Sequence, residues 1–242
     1  MIKKMKYQYI AGLVALLLTT PLSAAEQTSS ASWKGEAELG FISTSGNTET
    51  ETLNAKAKLV NERDKWKHTF IVEATRASDN DVVTAQRYFA SGKTDYKYGD
   101  KSYIFGLLKY EDDRFSGYNY QASLVMGYGH KIIKREDLML DAEVGAGTRQ
   151  SELDSGEKDD EAILYAGMDL DWKISKSTSF NEKLTVEAGD EATITKSVTA
   201  LKSKINAKLA SKITYTIKHV SEVPVGVEKT DKEIAVTLVY NF

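Results

Sequence analysis

His219 and Ser221 lie two residues apart at the end of a short alternating run, residues 213–220. In an extended strand that spacing puts both side chains on one face. A histidine base beside a serine nucleophile supports hydrolysis when a third group orients the imidazole. Here the third group is missing. Asn241 and Asn206, on the neighbouring strands, fall too far toward the other strand end. Two polar residues at a membrane interface are the simpler reading, and a lipid hydrolase built on the His219/Ser221 pair is kept as the alternative function. His68 and His130 occupy ordinary positions toward the opposite strand end.

The stretch from Glu152 through Asp154, Glu157, Asp159 and Asp160 to Glu161 is rich in oxygen ligands. Its spacing matches no calcium loop, which needs about six to eight oxygens in a fixed arrangement, so a solvated acidic loop is expected. Asp79, Asp81, Glu111, Asp112, Asp113, Asp190 and Glu191 fall at the same expected end. An acidic mouth of this kind would concentrate cations around a pore. The sequence shows no Gly-rich phosphate loop, zinc spacing or nucleic-acid patch. No cofactor, metal or nucleic-acid partner is therefore expected, and the chain is not read as an enzyme. Five glycines, Gly127, Gly129, Gly145, Gly147 and Gly167, share one inward parity on three consecutive strands. They are either a candidate path through the lumen or a place where the wall flattens or curves.

Alternation must position all of these residues. The final nine residues put Ile234, Val236, Leu238, Tyr240 and Phe242 on one parity, with Ala235, Thr237, Val239 and Asn241 on the other. That is a strand with one apolar face. From Trp33 onward the pattern repeats and predicts about twelve strands, with ten or fourteen as alternatives. The fifth strand alternates less well, because Phe105 and Leu107 oppose Ile104 and Leu108. The tenth, residues 192–209, is weakest; Ile194 and Val198 disagree in parity with Leu201 and Leu209, which predicts a bulge near Thr199. Connections at 150–161 and 221–232 are expected to be long, and those at the other end short.

Residues 1–25 resemble a secretory signal peptide: Lys3, Lys4 and Lys6 precede a short apolar run, and Ser23, Ala24 and Ala25 suit cleavage. Loss of those three lysines takes the formal charge from −3 to −6. The remainder, 26–242, contains no cysteine and no run apolar enough for a membrane helix. A membrane-spanning mature chain is then left with a closed β-barrel. The tryptophans decide between lipid and a soluble core. Trp33, Trp66 and Trp172 share the outward parity and one strand end, together with Tyr240 and Phe242, while Phe41, Tyr110 and Tyr120 fall at the other. Two girdles of amphipathic rings are what two membrane interfaces select. The fold expected is an all-β, transmembrane, antiparallel up-and-down barrel in the bacterial outer membrane. Its expected partners are outer-membrane lipids and, through the C-terminal strand, the barrel-assembly machinery.

Gly35, Leu39, Gly40 and Phe41 in the first strand, Thr44-Ser45-Gly46-Asn47-Thr48-Glu49-Thr50 after it, Trp66 and the aromatic end at Phe242 carry a resemblance to the YdiY-like salt-induced outer-membrane proteins, a bacterial family of unknown function. The resemblance implies an outer-membrane place and a link to salt or acid stress. It brings no substrate or catalytic residue. The function expected is structural, or a narrow polar pore that prefers cations.

Overall fold

The computed structural model describes residues 33–44 and 50–242. The segment 1–25 and most of the loop at 43–48 lie outside the described residues. The strands are β1 (Trp33–Thr44), β2 (Thr50–Glu62), β3 (Trp66–Asp79), β4 (Val82–Lys97), β5 (Ser102–Asp113), β6 (Tyr118–Lys134), β7 (Leu138–Leu153), β8 (Lys158–Lys173), β9 (Thr178–Gly189), β10 (Thr193–Lys204), β11 (Leu209–Val220) and β12 (Thr230–Asn241). Each pairs antiparallel with its sequence neighbours, and β12 returns to β1 to close a barrel. β1 has 12 residues; at about 3.3 Å per residue and a tilt of about 40° such a strand spans a hydrocarbon layer of about 30 Å. We call the end that carries Trp33 and Phe242 proximal and the other end distal.

The strand number and the outward faces agree with the sequence expectation. Leu39, Val72, Leu108, Leu124, Met126, Val144, Leu164 and Val236 are exposed on the exterior. Trp33, Trp66, Trp172, Tyr240 and Phe242 are exposed at the proximal end, where Trp66 packs on Tyr96 at 4.9 Å and Tyr240 on Phe242 at 6.0 Å between ring centroids. Tyr110 stacks on Tyr120 toward the distal end, at 5.8 Å. One carboxylate breaks this apolar exterior. Asn181 and Lys183 line the lumen, so Glu182 between them points outward. The Ser197 hydroxyl donates to it at 2.7 Å and the Thr199 hydroxyl at 2.5 Å, which supplies donors that lipid could not.

Two expectations are corrected. The tenth strand carries no bulge near Thr199: its register runs unbroken against both neighbours and ends at Lys204, and Leu209 opens β11 instead. Ile194 and Val198 simply face the lumen. The stretch 150–161 is not a long loop. Cross-strand pairing continues through Gln150↔Asp160, Ser151↔Asp159 and Glu152↔Lys158, leaving a tight turn at 154–157. Lys158 reaches Glu152 at 3.3 Å, so opposite charges hold a polar hairpin where an apolar face is lacking. Gly156, with φ of 85°, provides the left-handed residue that the turn needs. At the tip of β3 and β4, Asn80 and Asp81 both take positive φ, 47° and 65°, and make a two-residue hairpin turn. Among the described residues, the longest connection is 221–229, between β11 and β12.

The closing seam is the thinnest junction. Register partners between β1 and β12 run only from Glu36↔Asn241 to Leu39↔Leu238, whereas β1 and β2 pair from Trp33↔Asn61 to Thr44↔Thr50. Gly35 and Phe242 extend the seam by exchanging backbone hydrogen bonds of 2.7 and 2.9 Å.

Candidate functional site

The closed wall encloses a lumen, and its side chains meet partners on distant strands. In the distal half Lys218 of β11 pairs with Glu111 of β5. The Arg87 guanidinium of β4 donates to Glu233 of β12 at 2.9 Å. Lys196 of β10 lies 5.2 Å from the centre of the Phe89 ring of β4. In a ring of twelve strands, β5 and β11 are diametrically opposed, as are β4 and β10. These ties bridge distant walls across the distal lumen. Above them the 221–229 connection reaches over to the turn between β5 and β6. A Cβ on Gly117 would come within 2.9 Å of Pro224 and 3.1 Å of Val227, and the φ of Gly117 is positive. The connection therefore straps across the distal mouth.

The proximal half is closed differently. Glu143 on β7 accepts a hydrogen bond from Tyr103 of β5 at 2.7 Å and is paired with Lys93 of β4. Lys93 also reaches Asp95 at 3.2 Å and lies 4.9 Å from the centre of the Phe105 ring. Phe105 meets Tyr165 of β8 edge-on at 5.8 Å. Tyr103, Phe105, Leu107, Val125, Ile163 and Tyr165 form one buried cluster inside the barrel. Sequence reading missed this cluster, because it assigned apolar residues to the exterior. The signal was present in the fifth strand, where Phe105 and Leu107 broke the alternation.

The glycines sit beneath that cluster. A Cβ on Gly129 would fall within the Tyr103 ring, one on Gly127 against Phe105 at 2.7 Å, and one on Gly167 against the Tyr165 hydroxyl at 2.7 Å. Gly145 and Gly147 are closed off by the backbone of β6. None of the five lines the larger cavity, while Gly167 lines the smaller proximal one. Their lack of side chains makes room for rings lying against the wall.

What stays open is a chamber of about 340 Å³, lined from β1 to β11, and a smaller proximal space of about 70 Å³. Tyr165, Asp169 and Lys183 line both. Nine basic and seven acidic side chains border the chamber. Most pair off: Lys56 with Glu73 at 2.6 Å, Lys202 with Glu36 at 2.5 Å, Lys212 with Glu38 at 2.9 Å, and Lys109 with Glu187.

The His219/Ser221 pair does not assemble. His219 bonds the Thr230 hydroxyl at 2.8 Å, while Ser221 accepts the Thr193 backbone N–H at 2.9 Å. His68 faces Thr94 at 3.0 Å and His130 faces Ser102 at 3.1 Å in the same manner. Each histidine is thus matched to a hydroxyl directly across the strand pair. No group of metal-ligating side chains occurs among the described residues.

A family model described as "Protein of unknown function, DUF481" matches residues 37–242. The chain belongs to this family. It is 25% identical over 210 residues to the uncharacterized protein YdiY of Escherichia coli (strain K12), covering 86% of this chain and 83% of that one. Among solved structures, the NanC porin is similar with a TM-score of 0.52 at 10% identity, over 86% of this chain and 98% of the porin. An outer-membrane channel from Pseudomonas putida F1 gives 0.53 at 11% identity, over 92% of this chain and 100% of the channel. At such identities the likeness is one of fold: the DUF481 chain has the architecture of bacterial outer-membrane barrels.

Proposed function

We propose that this outer-membrane barrel is a narrow polar conduit, held closed at rest by its own lumen side chains. The observation that carries the reading is the pair of charge-lined cavities inside the barrel, which share Tyr165, Asp169 and Lys183 as lining. A barrel that served only as a scaffold would gain nothing from a charged interior of this size, since desolvating charge is costly. The excess of basic over acidic groups around the chamber favours small anions, against the cation preference suggested by the acidic distal rim. The exterior rings at Trp33, Trp66 and Trp172 support contact with outer-membrane lipids, and β12 suits recognition by an assembly machinery. The stress link stands as a further proposal, tested by growth of a deletion strain in high salt and at low pH.

Single-channel recording in planar bilayers tests the conduit. Brief, discrete steps with a preference for chloride over potassium are expected. A folded barrel that never conducts at any voltage, salt or pH would leave a structural role in its place.

A further inference from the structure

Most charges in this lumen are paired; among the basic side chains that border the chamber, Lys58 of β2 and, on the β9–β10 wall, Lys183 and Lys196 are the exceptions. Lys183 and Lys196 both line the chamber. Their register partners, Val198 and Thr185, are adjacent along the strand pair, so the two lysines are diagonal neighbours on one face. Such neighbours lie about 7–8 Å apart. Lys196 also stands directly opposite Lys218 of β11, and like charges in that position repel. Lys218 is neutralised by Glu111 across the lumen. Among the described residues, neither Lys183 nor Lys196 has a carboxylate within ion-pair distance. Asp169 faces Lys183 in register, yet it accepts a hydrogen bond from Asn181 at 2.9 Å instead. The neighbour of Lys196 across the lumen is the Phe89 ring.

Arg149 is compensated, because Glu161 pairs with it. Its side chain also borders the chamber and is 2% exposed. Its Nε donates to Glu161 at 2.8 Å and its Nη2 to Glu161 and to the Ala192 carbonyl, while Nη1 has no partner. Glu187, on the same face of β9 as Lys183, is already taken by Lys109.

We propose that the β9–β10 wall of the chamber is a binding site for a small oxyanion, held by Lys183 and Lys196. Ammonium groups on flexible stems are suited to a compact anion of this kind, to which each supplies a charge-assisted hydrogen bond. The ligand would supply the counter-charge that these two lysines lack. The inference deepens the conduit reading by naming what the chamber holds, but binding does not require conduction.

The test is calorimetric titration of the folded, full-length barrel in detergent with inorganic phosphate, at low ionic strength. Saturable binding is expected, weakened about tenfold or more in Lys183→Gln and in Lys196→Gln, as for loss of a charge-assisted contact. Lys176→Gln, in the exposed turn between β8 and β9 and outside the chamber, should keep its affinity. Heat-modifiable migration on gels confirms that each variant is folded. A folded wild-type barrel with no saturable phosphate binding would overturn the site, and so would unchanged affinity in the Lys183→Gln/Lys196→Gln double variant. Phosphate binding without conductance would remove the conduit and leave the site. Conductance without phosphate binding would do the reverse.

Discussion

Phe242 lies over Gly35, and its ring fills the volume that a side chain on Gly35 would need. The same two residues exchange both backbone hydrogen bonds at the barrel seam. Gly35→Val should therefore push the ring away and weaken closure by about 1–3 kcal/mol, the usual cost of overpacking. A lower midpoint for loss of the heat-modifiable form would show it. Because the two sites share one space, Gly35→Val combined with Phe242→Ala should cost less than the sum of the single changes.

Tyr103 and Phe105 close the proximal half through Glu143 and Lys93. Replacing both rings by alanine should enlarge the 70 Å³ space and uncover Gly127 and Gly129. A conductance step several-fold larger than that of the wild type is expected in planar bilayers. An unchanged step would place the limiting constriction elsewhere.

The Lys218–Glu111 pair ties β11 to β5 across the lumen, and the two side chains are 8% and 13% exposed. Glu111→Gln leaves a buried ammonium without its counter-charge, which should cost about 3–5 kcal/mol. The paired change Glu111→Gln/Lys218→Met should recover most of this. Thermal unfolding followed by circular dichroism distinguishes the two variants.

The strap at 221–229 packs Pro224 and Val227 around Gly117. Shortening it to a tight turn should open the distal mouth. Faster uptake of small polar probes by liposomes carrying the variant would be the readout.

His219→Ala and Ser221→Ala should leave lipid turnover untouched, since each side chain is engaged with a different partner. Release of fatty acid from labelled phospholipid, compared with an empty control, checks this.

Period-two alternation made the strand count and the lipid-side face legible, because lipid accepts only apolar side chains over most of the strand. It could not read the interior. Whether Phe105 opposes Leu108 as a fault or as a plug depends on what stands on β6 and β8, and only the closed register brings Gly127 and Tyr165 beside it. The same limit hid the ties from β5 to β11 and from β4 to β12. Glu182 was missed for a related reason: its outward parity is tolerable only because Ser197 and Thr199 stand on the adjacent strand. The acidic hairpin at 150–161 looked like a loop because its pairing is polar.

The short β1–β12 seam also bears on how the barrel is made. Every other junction joins strands that are consecutive in the chain, so each hairpin forms over a small loop. The seam joins the two extremes of the described chain and pays for the longest ring closure, which makes it the last junction to form. Until then the sheet carries two raw edges, at Gly35–Leu39 and at Leu238–Phe242, each able to recruit a foreign strand. A nascent barrel in that state is a template for aggregation, and a chaperone that shields those edges until they meet would determine its yield.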